Sequence, residues 1–187
     1  MKTVCVYCGS GFGDRKRYRE AASVLGTLLA QRNIDLVYGG ASIGLMGTVA
    51  DAAMAAGGKA IGVIPQSLAD AEVAHEGLSE LHIVSSMHER KHMMAERADA
   101  FISMPGGFGT LEELFEVVTW SQLGLHQKAC GLLNVDGFYD GLLSFLDHAT
   151  AEKFIREQNR EIILVEETPH ALLGKLIAFA ASTEKSD

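Results

Sequence analysis

The sequence predicts an α/β fold in which a doubly wound, mainly parallel sheet is covered by helices on both faces. Three observations lead there. Short β-rich runs alternate with helical patterns over almost all of the 187 residues, which requires crossover connections rather than hairpins. Glycine-rich stretches fall where strands hand over to helices. A hydrophobic content of 48% suits one folded domain with a full core.

The alternation opens with a strand over Thr3–Cys8 and a helix over Arg15–Arg32, where apolar residues recur at three- and four-residue steps. Asp35–Tyr38 is the second strand, Gly44–Ala56 the second helix and Lys59–Ile64 the third strand. Pro65–Glu80 is polar, acidic and without a clear element, and at that length a functional loop is expected rather than a plain connector. Leu81–Val84 and Ala100–Met104 are strands on either side of a helix over Met87–Arg97, and Leu111–Leu123 is the helix that follows. Ala129–Leu133 and Ile162–Val165 are strands, followed by helices over Phe138–Ala149 and Pro169–Ala181. With no repeat, low-complexity tract or linker, residues 1–181 form one domain and 182–187 a loose tail.

A formal net charge of -8 disfavours nucleic acid and anionic membrane surfaces as partners, so a small anionic ligand would need a local cationic pocket. No apolar run approaches the ~20 residues that span a bilayer. Met1-Lys2-Thr3-Val4-Cys5 runs into a strand pattern without a signal-peptide layout, so a cytoplasmic location is expected. Cys5 and Cys8 spell C-x-x-C, but an odd spacing within a strand turns their side chains to opposite faces, which makes burial a better reading than redox or metal chemistry.

Ligands of open parallel sheets sit beyond the C-terminal strand ends. Three glycine-rich turns lie there: Gly9-Ser10-Gly11-Phe12-Gly13, Gly39-Gly40-Ala41-Ser42-Ile43-Gly44, and Pro105-Gly106-Gly107-Phe108-Gly109-Thr110 after the fifth strand. Glycine permits close backbone approach, and a helix start offers unpaired N–H groups and partial positive charge, so phosphate is the natural occupant. Any one such turn could serve only to reverse the chain; three on one sheet edge favour a ligand. No glycine precedes Lys-Ser or Lys-Thr as a P-loop requires. The second strand ends Tyr38-Gly39-Gly40 without the carboxylate that a dinucleotide ribose needs, so no NAD is expected.

Thr110-Leu111-Glu112-Glu113 reads as a capping box, yet a carboxylate one turn past a phosphate-binding helix start also lies near the sugar of a bound nucleotide. There it could activate water and stabilise an oxocarbenium-like transition state. Ser86 and Glu89 form a second capping box, and Arg90-Lys91 directly after it offer a clamp for an anion. His88-Glu89-Arg90-Lys91-His92 also spells H-E-x-x-H, with Glu112 as a conceivable third zinc ligand. A strand and a glycine turn separate His92 from Glu112, whereas the protease arrangement draws that ligand from the following helix, so no metal is expected.

Pro105-Gly106-Gly107-Phe108-Gly109-Thr110-Leu111-Glu112-Glu113 resembles the P-G-G-x-G-T-x-x-E signature of the Lonely Guy family, the cytokinin-activating phosphoribohydrolases. Met87-His88-Glu89-Arg90-Lys91 resembles the family's M-H-x-R-K segment. Tyr38-Gly39-Gly40 with Gly44-Leu45-Met46-Gly47 resembles its Y-G-G…G-L-M-G turn, and the likeness runs from the first strand to about Leu176. The resemblance implies a Rossmann-like homodimer whose active sites draw on both subunits. It implies hydrolysis of N6-substituted adenosine 5′-monophosphates, and of AMP in many bacterial members, to free base and ribose 5-phosphate without a cofactor. Carried across, the catalytic arginine and glutamate fall on Arg90 and Glu113. The nucleotide contacts fall on Glu72, Arg90, Lys91, Gly107, Phe108, Gly109, Thr110, Leu111, Glu112, Glu113 and Thr119. The helix Leu111–Leu123, apolar round most of its circumference, fits a subunit contact. Ala41 and Gly11 depart from the family pattern of glycine and serine without removing a catalytic group. Relatives are often labelled lysine decarboxylases, but no lysine is placed as a Schiff-base partner. A nucleotide or cofactor carrier of related fold is the alternative, and the joint presence of Arg90 and Glu113 argues against it.

Overall fold

A computed structural model describes residues 1–69 and 74–183. The elements run β1 (Thr3–Tyr7), α1 (Lys16–Gln31), β2 (Asp35–Tyr38), α2 (Gly44–Ala55), β3 (Ala60–Pro65), α3 (Gln66–Ala69), β4 (Glu80–Val84), α4 (Met87–Arg97) and β5 (Ala100–Ser103). They continue α5 (Phe108–Gln122), β6 (Ala129–Leu133), a 3₁₀ turn at Val135–Gly137, α6 (Asp140–Ala151), α7 (Glu157–Arg160), β7 (Ile163–Glu166) and α8 (Pro169–Thr183). Seven strands form one sheet in the order β4-β3-β2-β1-β5-β6-β7, and every strand pair is parallel. The expected α/β sandwich is therefore present, wholly rather than mainly parallel within this sheet.

Strand alternation decides which residues face which helices. Val4 and Val6 point into a core built with α1, α2 and α8, while Cys5 and Tyr7 point to the opposite face, where Met94 and Ala95 of α4 and Val117 of α5 cover them. A third cluster joins Leu114 of α5 to Leu132, Ile163 and Leu146 of α6. Cys5 and Cys8 lie in different clusters, buried and unbonded, as their odd spacing implies. The central strands are buried on both faces and read as nearly continuous apolar runs, with Ser103 at the end of β5 the polar exception. The edge strand β4 leaves Leu81 and Ile83 exposed.

Two short helices, α3 and α7, were not legible as periodic patterns, because four residues are too few to show a period. α3 occupies the start of the stretch expected to be loop, and Ala74 near its other end forms an isolated bridge to Ala41. α8 runs on through Thr183, into the expected tail; residues 184–187 lie outside the described residues. The apolar circumference of α5 is mostly covered within the chain, since Leu111, Phe115 and Val118 pack against the third cluster and Trp120 against the second. α6 thus supplies cover that a sheet alone would not, and large apolar side chains stay in water only at the two ends of the helix, at Phe108 and at Leu123 just past its last turn. Among the described residues no helix is long and apolar enough to cross a membrane.

Candidate active site

The chain builds outward from β1 through β2 and β3 to β4, then returns to place β5 against the other side of β1. The crevice of such a sheet opens between β1 and β5, at the switch in winding direction. The turns that follow those strands meet there, with Gly9 N donating to Pro105 O at 3.1 Å and Leu45 N, from the start of α2, donating to Gly9 O at 3.1 Å. Gly106 permits that contact, because a Cβ there would stand 2.2 Å from Thr110 Oγ1 and 2.9 Å from Gly9 N.

α5 begins at Phe108, with Gly107 as its N-cap and no side-chain cap. The expected start at Leu111 is three residues late, and Thr110 lies inside the first turn rather than ahead of it. The Thr110–Glu113 capping box is therefore not formed. With no cap and no acidic residue in the first turn, the opening N–H groups and the positive end of the helix dipole remain available to an anion. A Cβ at Gly107 or Gly109 would meet nothing within 4 Å, so packing inside the chain does not explain glycine at either position.

The cation arrives on α4. Ser86 caps this helix by accepting from Glu89 N at 3.1 Å, and the Glu89 carboxylate turns back to take Ser85 N at 2.8 Å and Ser85 Oγ at 2.6 Å. Those bonds hold the Glu89 pKa below the ordinary carboxylate value. The capping box expected at Ser86 is half realised, with Glu89 serving Ser85 instead of Ser86 N. One turn later Arg90 runs under β3, donating from Nε to Val63 O at 3.1 Å and from Nη1 to Glu113 Oε1 at 3.3 Å. Gly39 makes room for it, because a Cβ there would lie 2.1 Å from Arg90 Nη2.

Arg90 and Glu113 are 9% and 8% exposed, so this is a buried pair at the floor of a cleft of about 260 Å³. Gly107, Phe108, Gly109 and Thr110 form one wall; Gly39, Met46, Met87 and Met94 form another, and Tyr7, Cys8 and Ser10 close the end at β1. Desolvation by burial pushes the Glu113 carboxyl up to about 7, against the pull of Arg90 and Lys91 and with the help of Glu112 and Glu116. A carboxyl poised there can exchange a proton near neutral pH.

The remaining expected residues divide. Lys91 is buried, but it does not line the cleft: its Nζ is held by Glu112 and, at 2.9 Å, by Glu116. Burial lowers the Lys91 pKa and those two bonds more than restore it. Glu112 is exposed apart from that contact, and Leu111 is half-buried against the third cluster. Thr119 is exposed on α5, six residues and about 9 Å along the axis from Glu113. Glu72 lies outside the described residues. Sequence reading did not name Gly39, Met46, Met94 and Glu116 as site residues; Gly39 and Met46 stood inside motifs already quoted, while Met94 and Glu116 carried only the pattern of an ordinary helix.

The H-E-x-x-H spacing brings no ligand set together. His92 Nε2 meets Glu96 at 3.2 Å, Glu112 serves Lys91, and among the described residues no three His, Cys, Asp or Glu side chains converge on a metal position.

Over 184 residues the chain is 55% identical to the cytokinin riboside 5′-monophosphate phosphoribohydrolase LOG of Oryza sativa subsp. japonica, covering 98% of this chain and 76% of the relative. A cytokinin riboside 5′-monophosphate phosphoribohydrolase of Arabidopsis thaliana is 51% identical over 185 residues, 99% of this chain and 86% of its own. The chain belongs to the cytokinin riboside 5′-monophosphate phosphoribohydrolase family. Residues 46–176 also match a family model described as possible lysine decarboxylase. No lysine lines the cleft among the described residues, so the cleft as described offers no amine of the kind this description would call for. Among solved structures, the molybdenum cofactor carrier protein of Chlamydomonas reinhardtii superposes with a TM-score of 0.73 at 17% identity, covering 96% of this chain and 98% of that one. The molybdenum cofactor binding protein of Rippkaea orientalis does so with 0.72 at 21%, covering 95% and 97%. These two share the phosphoribohydrolase fold, a Rossmann-like α/β sandwich.

Proposed function

We propose that this protein hydrolyses the N-glycosidic bond of adenosine 5′-monophosphates, N6-substituted cytokinin riboside monophosphates and AMP alike, to the free base and ribose 5-phosphate. The observation that carries the reading is the buried Arg90–Glu113 pair standing beside an uncapped helix start. The 5′-phosphate is assigned to the N–H groups of Gly107, Phe108, Gly109 and Thr110, where the α5 dipole favours an anion. Glu113, one turn further in, then faces the anomeric carbon. As the C1′–N bond breaks, positive charge develops on the ribose, and an ionised Glu113 stabilises it and takes a proton from the incoming water. The hydroxyl of that water is added to C1′, and the proton Glu113 has taken from it passes through solvent to the departing base, so one water is consumed and the carboxylate is restored. Arg90 keeps Glu113 aimed and supplies positive charge at the leaving side; a guanidinium does not give up a proton at neutral pH.

Lys91, Glu112, Leu111, Thr119 and Glu72 are assigned to supporting contacts with the nucleotide, as the family resemblance implies. A homodimer with shared sites is part of this reading, and so is a cytoplasmic location. A cleft of about 260 Å³ is small beside the roughly 300–1,000 Å³ of ligand sites, which leaves nucleotide surface for a second subunit to cover. Its rim carries two exposed apolar side chains, Phe108 and Met87. The carrier reading is not favoured, because carriers share only the fold, whereas the relatives at about half identity are named as hydrolases.

Incubation of the protein with AMP, with isopentenyladenosine 5′-monophosphate and with the two phosphate-free ribosides tests this reading. Chromatography should show free base from the monophosphates and intact ribosides. Equal cleavage of ribosides would remove the phosphate site from the account.

A further inference from the structure

Arg90 and Lys91 are neighbours on α4, and they face α5 along two different lines. Arg90 meets Glu113 in the cleft, while Lys91 reaches Glu112 and Glu116 beside it. Glu112 and Glu116 are one turn apart on a single face of α5, and Glu113 lies about 100° round from Glu112. The lysine is therefore gripped from both sides while the carboxyl between them turns inward. The Lys91 side chain is 10% exposed, Glu116 22% and Glu112 55%, so Glu116 is the better shielded partner and water and salt weaken its charge less.

We propose that Glu116 is a positioning residue: gripping Lys91 together with Glu112, it fixes α5 against α4, holds the Glu113 carboxyl at Arg90 and biases that carboxyl towards keeping its proton. The inference rests on the assignment of Arg90 and Glu113 to the chemistry. Its electrostatic half follows from the charges present. Two cations, Arg90 and Lys91, face three carboxylates, so one added proton brings the group to neutrality. Glu112 stands in water and Glu116 is matched to Lys91. Glu113 is the most buried of the three, and its one cation also serves Val63 O, so the proton falls to it. The other titratable groups near it are Cys5 and Tyr7 of β1 and Cys8 just after it, whose pKa values burial raises and which stay neutral. The charges that act on Glu113 therefore come from α4 and α5.

Glu116→Gln in the full-length protein tests this, because it keeps the size and an acceptor for Lys91 while removing the charge. Carbon-detected NMR titration of the Glu113 carboxyl should give a midpoint lower than in the wild type by about half a pH unit or more, with the acid limb of kcat/KM moving down alongside it. Glu116→Asp, which restores the charge, should bring the midpoint back towards the wild type. A merely structural role would lower Tm and leave the midpoint in place, and an unmoved midpoint in a folded Glu116→Gln protein overturns the inference. Should that variant fail to fold, Glu112→Gln removes the other carboxylate from the same lysine and must move the midpoint in the same downward direction, or the inference falls. If Glu113→Gln still releases base while the titrations behave as described, the proposed chemistry fails and the clamp stands.

Discussion

Glu113 makes a prediction about stability as well as chemistry. Its carboxyl titrates at about 7 in the folded chain, above the ordinary 4.5, with burial as the main cause. A carboxyl with a raised folded value is protonated in both states at low pH, where it costs nothing. It opposes folding increasingly as pH climbs from about 4.5 to about 7, and the cost is complete above that, at roughly 3 kcal/mol. Glu113→Gln should therefore match the wild type in denaturant midpoint near pH 4 and exceed it near pH 8. A gap that does not widen with pH contradicts the burial. Strand-end positions drew attention to Arg90-Lys91 and to the carboxylates of Thr110-Leu111-Glu112-Glu113, the choice of Arg90 and Glu113 among them came from the family resemblance, and the structure shows that these two side chains meet. The pairing of Lys91 with Glu116 was not legible in the sequence, since a lysine and a glutamate 25 positions apart reveal nothing until two helices are laid side by side.

Elements are where close approach decides the outcome. Gly39 ends β2 directly over the Arg90 guanidinium, and Gly39→Ala would put a Cβ 2.1 Å from Nη2 and 3.0 Å from Met46 Sδ. The arginine head is the movable partner, so the fold should survive while Arg90 is displaced from Glu113. Base release should fall by about 10²-fold, the scale of a displacement near 1 Å, with Tm changed little. Unaltered turnover would show that the guanidinium need not sit where it does. Most element identities were readable from alternation and glycine punctuation. The start of α5 was misread because Thr110 and Glu113 have capping-box spacing, yet Thr110 is buried against Gly106, a contact between turns that no local pattern announces. The four-residue helices escaped for want of a period.

At the scale of the whole molecule, alternation predicted a parallel sandwich, while the strand order that sets β1 beside β5 had to come from the structure. The exposed apolar rim at Met87 and Phe108 leads to an expectation about assembly. Light scattering should give twice the monomer mass, and Met87→Glu should shift the protein towards monomer. A fully active monomeric wild type would dismiss the shared site. The central claim, that an anion is seated at the start of α5 with Glu113 reaching C1′, is tested most directly by comparing the wild type with Glu113→Gln for AMP binding and for adenine release. The account predicts that the variant still binds the nucleotide and that release drops by about 10³-fold or more. Adenine released by Glu113→Gln at close to the wild-type rate would contradict it.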